Sequence, residues 1–245
     1  MSEPAAIGLV MASLVLGALS SGIVGLGFPI VVIPAMALGF GLEIAVVVSA
    51  LPALAIDLAN LLETWNERHD ARGLVPFGAI AAASGAVGAL TRSGIDEKIL
   101  IVVLVIAVGG FVVNEFLPKA MPSRRGGKAT SVVAPVLGGL LQSTVGISSP
   151  VTGTYFLNRT NTRDAFIFHL TSTFVVVGIV RLFLLVAIGS FTYDRWLASI
   201  GLIVLGLAGR AIGSRVGRRL DRTHFRRIVV GVLATSLIPL TLQAF

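Results

Sequence analysis

The chain has 245 residues, 55% of them hydrophobic and only 13% charged, with a mean hydropathy of +0.94. That balance excludes a soluble domain and reads as a polytopic membrane protein. The formal net charge of +7 does not point to nucleic acid, because the basic residues sit in short loops between apolar runs, and the lack of cysteine removes disulfides, thiolate metal sites and cysteine nucleophiles together.

Met1-Ser2-Glu3-Pro4 lacks the basic start of a secretory signal, and no A-x-A-like site follows Ala5 to Leu19, so the first apolar run is expected to be a retained helix. Apolar runs lie at 5–24, 28–40, 44–64, 73–91 and 98–117, then at 130–145, 149–157, 165–189, 195–212 and 227–244. A bilayer span needs about 20 residues, so 28–40 and 149–157 are expected to be half-helices. Between the fifth and sixth runs, Pro118 to Lys128 alone has linker composition. The expected organisation is a first membrane repeat over 1–117, a basic cytoplasmic linker over 118–129 and a second repeat over 130–245.

The halves align. An offset of 121 pairs Gly17 with Gly138, Val24 with Val145, Gly25 with Gly146, Pro29 with Pro150, Glu43 with Asp164 and Asn60 with Arg181; after a four-residue insertion, Gly88 and Asp96 pair with Gly213 and Asp221. The shared order of long, short, long, long, long argues for duplication. Loops near 65–72, 118–128, 158–163 and 210–227 fall on one side and carry fifteen of the nineteen Lys and Arg, against Arg92, Lys98 and Arg195 on the other. The first side is therefore expected to be cytoplasmic, with both termini outside. Five elements per half make the second half enter from the opposite face. The expected fold is all-α: two inverted repeats of about four spanning helices plus one broken or half-helix each, giving eight to ten membrane segments.

Two polar interruptions break the apolar halves, Ile23-Val24-Gly25-Leu26-Gly27-Phe28-Pro29 and Ser143-Thr144-Val145-Gly146-Ile147-Ser148-Ser149-Pro150. Backbone left unpaired in lipid costs several kcal/mol per group, so such breaks survive only inside protein or along a polar cavity. Ser149 before Pro150 reads as a helix cap, and a helix N-terminus attracts anions. Gln142, Ser143, Thr144, Ser148, Ser149 and Thr152 would add neutral donors around Gly146, while Ser20, Ser21, Gly25, Gly27 and Pro29 repeat the geometry with fewer hydroxyls. The expectation is that the two breaks face each other across a midplane anion site. The alternative is that these small residues serve only close helix packing.

In the eighth run His169, Thr173 and Arg181 share one broad face at about 100° per residue. An arginine at that depth costs at least about 2.5 to 3.5 kcal/mol unless compensated, and its planar fork suits an oxyanion. The competing reading is an internal ion pair with Asp57. On the third run Ser49, Asn60 and Glu63 share a face, with Asp57 at its edge and Pro52 set to kink the helix. Asp57 is a candidate proton carrier and His169 a candidate relay, with protons or sodium as the coupling ion. His69 and His224 fall in loops, so a histidine metal centre is not expected, and no cofactor motif, phosphate loop, nucleophile elbow or carboxylate pair is present. Nothing in these residues supports an enzyme.

At Gly22 to Pro34, and again at Gly146 to Pro150 with His169-Leu170-Thr171-Ser172-Thr173, the chain resembles the sulfite exporter TauE/SafE family, also called the toluenesulfonate uptake permease family. The resemblance covers nearly the whole length and rests on duplicated halves, a glycine-rich break followed by proline in each, the His-x-Thr-Ser type segment and the basic linker. It implies an inner-membrane transporter of sulfite, sulfonates or related small anions, coupled to an ion gradient. Family members usually carry Gly-Gly-Gly at the breaks, where this chain has Gly27-Phe28-Pro29 and Ile147-Ser148-Ser149, and the first Thr-Ser is replaced by Ser49-Ala50. Hydroxyl donors would thus replace part of the backbone capture in the second half. The function expected is secondary transport of a small sulfur-containing anion by alternating access. A passive anion channel and a non-transporting membrane scaffold are the rivals.

Overall fold

Proline and glycine set where the helices of this chain begin and end. The computed structural model describes residues 3–71, 73–96, 98, 99, 102, 105, 106, 129–157 and 159–219. The expected run at 227–244, most of that at 98–117 and the linker at 118–128 lie outside the described residues. Every regular element described is helical: α1 (Glu3–Val24), α2 (Phe28–Phe40), α3 (Leu42–Glu63), α4 (Leu74–Thr91), α5 (Thr130–Thr144), α6 (Ser149–Leu157), α7 (Arg163–Ala187) and α8 (Tyr193–Gly217), with short 3-10 segments at Trp65–Asp70 and Arg92–Gly94. Four of these, α3, α4, α7 and α8, are long and apolar enough to cross a membrane. With 13 and 9 residues, α2 and α6 rise only about 20 and 14 Å and do not cross.

The distribution of side chains suits hydrocarbon rather than water. Val75, Phe183 and Val204 stand 80%, 71% and 69% exposed, whereas Ser21, Asn60, Gln142, Ser143 and Arg181 are buried. Pro52 in α3 cannot donate to the carbonyl of Val48, and the Ser199 hydroxyl of α8 does so instead at 3.0 Å.

The helices have two distinct ends. At one, Arg163 donates to the carbonyls of Gly22 and Ile23, Arg218 bonds Glu63, and Trp65 packs edge-on against Phe168. This end bears Arg68, Arg159, Arg163, Arg215, Arg218 and Arg219. At the other, Arg195 bonds Glu43 at 3.0 Å and Arg92 reaches the Leu42 carbonyl. So α1 and α3 run one way and α7 the other.

Packing between the halves is reciprocal. The first helix of each half lies along the fourth of the other, α1 on α8 and α5 on α4, while α3 packs on α7 at the centre. The contacts repeat residue by residue. A methyl group on Gly213 would meet the Leu19 carbonyl at 2.1 Å, and one on Gly88 would meet the Leu140 carbonyl at 3.0 Å. Leu19 and Leu140 differ by 121 and Gly88 and Gly213 by 125, the two offsets of the sequence alignment. Ala18 against Gly209 likewise answers to Gly139 against Ser84. These seams bring backbone within van der Waals reach of backbone.

Candidate functional site

Each break turns on a glycine in the left-handed region, Gly25 at φ 78° and Gly146 at φ 79°, a conformation that side-chain-bearing residues rarely adopt. The match between positions 121 apart makes the two turns the same local structure. Gly25 closes α1 by donating to the Ser21 carbonyl at 2.8 Å, and Val145 closes α5 by donating to Leu141 at 3.0 Å. Gly27, at φ 125°, precedes α2, with Pro29 in its first turn. At α6 the cap is Ser148 rather than the expected Ser149: its carbonyl accepts from Val151 and Thr152, and Ser149 is already helical. The Ser148 hydroxyl turns away to donate to Gln142 Oε1 at 2.7 Å, leaving no side chain on the α6 N-terminus.

The second break lies along one stretch of α7. Gln142 donates to the Phe174 carbonyl, Ser143 sits by Val177 across Gly85, and Gly146 faces Arg181, whose two terminal nitrogens lie 3.4 and 3.5 Å from where a methyl group would stand. The missing methyl makes room for Ile33, whose Cδ1 would lie 2.3 Å from it. Arg181 is 3% exposed; Nη2 donates to the Val46 carbonyl, Nε has no hydrogen-bond partner, and no ion pair to it occurs among the described residues. The expected alternative pairing with Asp57 is not formed. Ser143 Oγ is also buried and unpartnered. A cation without an ion-pair partner and a hydroxyl without a hydrogen bond therefore lie along this turn, beside the start of a half-helix, with no carboxylate bonded to either among the described residues.

The first break has different company. Asn60 donates to both the carbonyl and the hydroxyl of Ser21 at 3.3 Å and accepts from Arg210 Nε at 2.7 Å. Arg210 also bonds the Ala59 carbonyl and the Glu63 carboxylate, which in turn takes Ser214 and Arg218. The sequence assigned Arg210 to a cytoplasmic loop, but α8 continues seven residues beyond it to Gly217. Arg210 and Glu63 were missed as partners for that reason; the signal that could have found them is a glutamate and an arginine each at the end of an apolar run, Glu63 after Leu61-Leu62 and Arg210 between Gly209 and Ala211.

The structure corrects the expectation that the two breaks face each other at midplane. Asn60 reaches the first break and Val46 the second, fourteen residues apart, about 21 Å along α3 at 1.5 Å per residue. Along α7 the contacts are Ile167 to Gly25 and Arg181 to Gly146, again fourteen residues apart. Leu26, Ile30, Ile33, Ile147 and Ile167 belong to the buried apolar core around and between the breaks. Of the predicted set, Gly146 meets Arg181, Gln142 and Ser143 lie by Phe174 and Val177 on the preceding turns of α7, Ser148 bonds Gln142 and Ser149 opens α6 at the same break, whereas Ser21, Gly25, Gly27, Pro29 and Asn60 belong to the other break.

Other predicted residues lie apart. Thr144 bonds the Leu140 carbonyl on the α4 seam, Thr152 Oγ1 faces Gly138 of α5, and Thr173 bonds the His169 carbonyl. His169 Nδ1 lies 2.7 Å from the Ala165 carbonyl, its ring among Phe156 and Phe168 toward the basic end. Asp57 is buried on α3 and makes no hydrogen bond or ion pair among the described residues.

A family model described as Sulfite exporter TauE/SafE matches residues 9–240 of the chain. No curated protein and no solved structure matches it.

Proposed function

This chain belongs to the sulfite exporter TauE/SafE family of membrane transporters, and from that premise we propose that it is a secondary transporter for a small sulfur-containing oxyanion such as sulfite or a sulfonate. The observation that carries the reading is Arg181. A guanidinium buried without a carboxylate is costly in a membrane interior, and no described residue supplies it with a counter-charge. A passing anion provides the missing partner. Arg181, the α6 N-terminus and the hydroxyls of Ser143 and Ser149 bind it, and Asp57 carries the coupling proton.

Reciprocal packing of the halves supports an inverted repeat, with the basic end cytoplasmic and both termini outside, in the cytoplasmic membrane. Rocking of one half against the other then opens the Arg181 turn to either face, so alternating access proceeds about this off-centre site rather than about two apposed breaks.

The test is sulfite-dependent thermal stabilisation of the detergent-solubilised protein together with counterflow in proteoliposomes. Wild type is stabilised and accumulates labelled sulfite against its gradient, which a passive channel cannot do. Arg181→Gln loses affinity at least about 30-fold, as expected for removing one partner of a buried charge pair. Undiminished stabilisation and flux in that variant, purified as a monodisperse protein, would falsify the site.

A further inference from the structure

We propose that Arg210, Arg218 and Ser214 form a second oxyanion-binding position at the first break, and that Glu63 is its built-in occupant, displaced when a small oxyanion arrives. The donors converge on one carboxylate: Arg210 Nη2 on Glu63 Oε2, and the Ser214 hydroxyl with Arg218 Nε and Nη2, at 3.1 and 2.7 Å for the arginine, on Oε1. Two guanidiniums and a hydroxyl around two oxygens would hold a sulfite, sulfonate or carboxylate by the same bonds.

Arg210 and Ser214 stand on α8 and Arg218 is its C-terminal cap, whereas the acceptor is the last residue of α3, so the cradle persists when the carboxylate swings away. Arg210 is held independently, since Nε donates to Asn60 and Nη2 also reaches the Ala59 carbonyl. Its side chain and that of Glu63 are 12% and 18% exposed, half-shielded at the basic end but within reach of solute. Local charge favours an added anion. Among the described residues, Arg163, Arg210 and Arg218 pair with Glu63 and Asp164 alone. The other half shows the contrast: the position 121 residues after Glu63 is Leu184, and Arg181 there meets no carboxylate among the described residues. One break borrows its anion and the other carries its own.

The position rests on its own side chains and stands whether or not Arg181 binds sulfite. Sulfite titrations are followed by thermal shift on the purified full-length protein carrying Arg181→Gln, which silences the other turn. Adding Glu63→Ala lowers the half-saturating sulfite concentration at least about tenfold. The gain disappears when Arg210→Gln is added. Glu67→Ala, which removes the same charge at the same end, leaves the titration unchanged. Should Glu63→Ala not fold, Glu63→Gln takes its place in the same comparison and gives the same ordering. A titration unaltered by either Glu63 substitution, or a gain that Glu67→Ala reproduces, overturns the proposal.

Discussion

At the scale of single residues, two buried donors without partners separate binding from folding. Arg181 Nε and Ser143 Oγ cost the empty protein stability, because a buried polar group gains nothing from water it no longer touches. Arg181→Met therefore raises the anion-free melting temperature, by the equivalent of about 1 to 4 kcal/mol, while weakening sulfite binding at least about 30-fold; calorimetry with and without sulfite reads both effects. Ser143→Ala leaves anion-free stability unchanged or slightly higher and weakens sulfite binding about tenfold. A fall in anion-free stability in both variants would mean that these groups hold the fold rather than a ligand. The sequence made Arg181 conspicuous by depth alone. Its lack of a partner was not legible, since Asp57 lies at a similar depth on a neighbouring span and only the rotation of α3 and α7 decides whether the two meet.

Helix seams are governed by glycines whose missing methyl groups would collide with backbone. A methyl at Gly22 would lie 2.0 Å from the Arg210 carbonyl, and one at Gly139 would lie 2.0 Å from that of Ala81. Backbone cannot yield as a flexible side chain can, so Gly22→Ala and Gly139→Ala each destabilise by about 1 to 3 kcal/mol, measured by thermal unfolding in detergent. Gly201 in the same α8 has nothing within 4 Å, and Gly201→Ala is neutral or stabilising. Both half-helices were visible in the sequence with their observed bounds, 28–40 and 149–157, because a proline in the first turn and a left-handed glycine before it act locally. The cap at Ser148 and the reach of α8 past Arg210 were not, since polar side chains inside a bundle find partners on other helices, and periodicity within one helix says nothing of them.

For the whole molecule, the charge asymmetry makes a topological prediction. The chain contains no cysteine, so a single introduced one is the sole thiol target. Arg68→Cys, at the basic end, reacts with an impermeant maleimide only after cells are permeabilised, whereas Tyr193→Cys, exposed at the opposite end, reacts in intact cells. Reaction of both in intact cells would remove the assigned orientation. The reciprocal seams extend the sequence alignment to positions it did not pair by identity, such as Ala18 with Gly139 and Ser84 with Gly209. The packing of the described helices thus carries the same pairing of positions as the order of runs.

The amino-acid sequence by itself determined the membrane class, the helix count in each described stretch, the two glycine turns and the depth of Arg181 within an apolar run, because hydropathy, proline and glycine act over a few residues. Only the tertiary structure decided that the turns sit near opposite ends of the α3–α7 pair, that Arg181 belongs to one of them, and that Arg210 and Glu63 belong to the other. Depth and rotation are set by how far each helix runs before its neighbours stop it, and that distance is recorded in contacts between residues far apart in the chain.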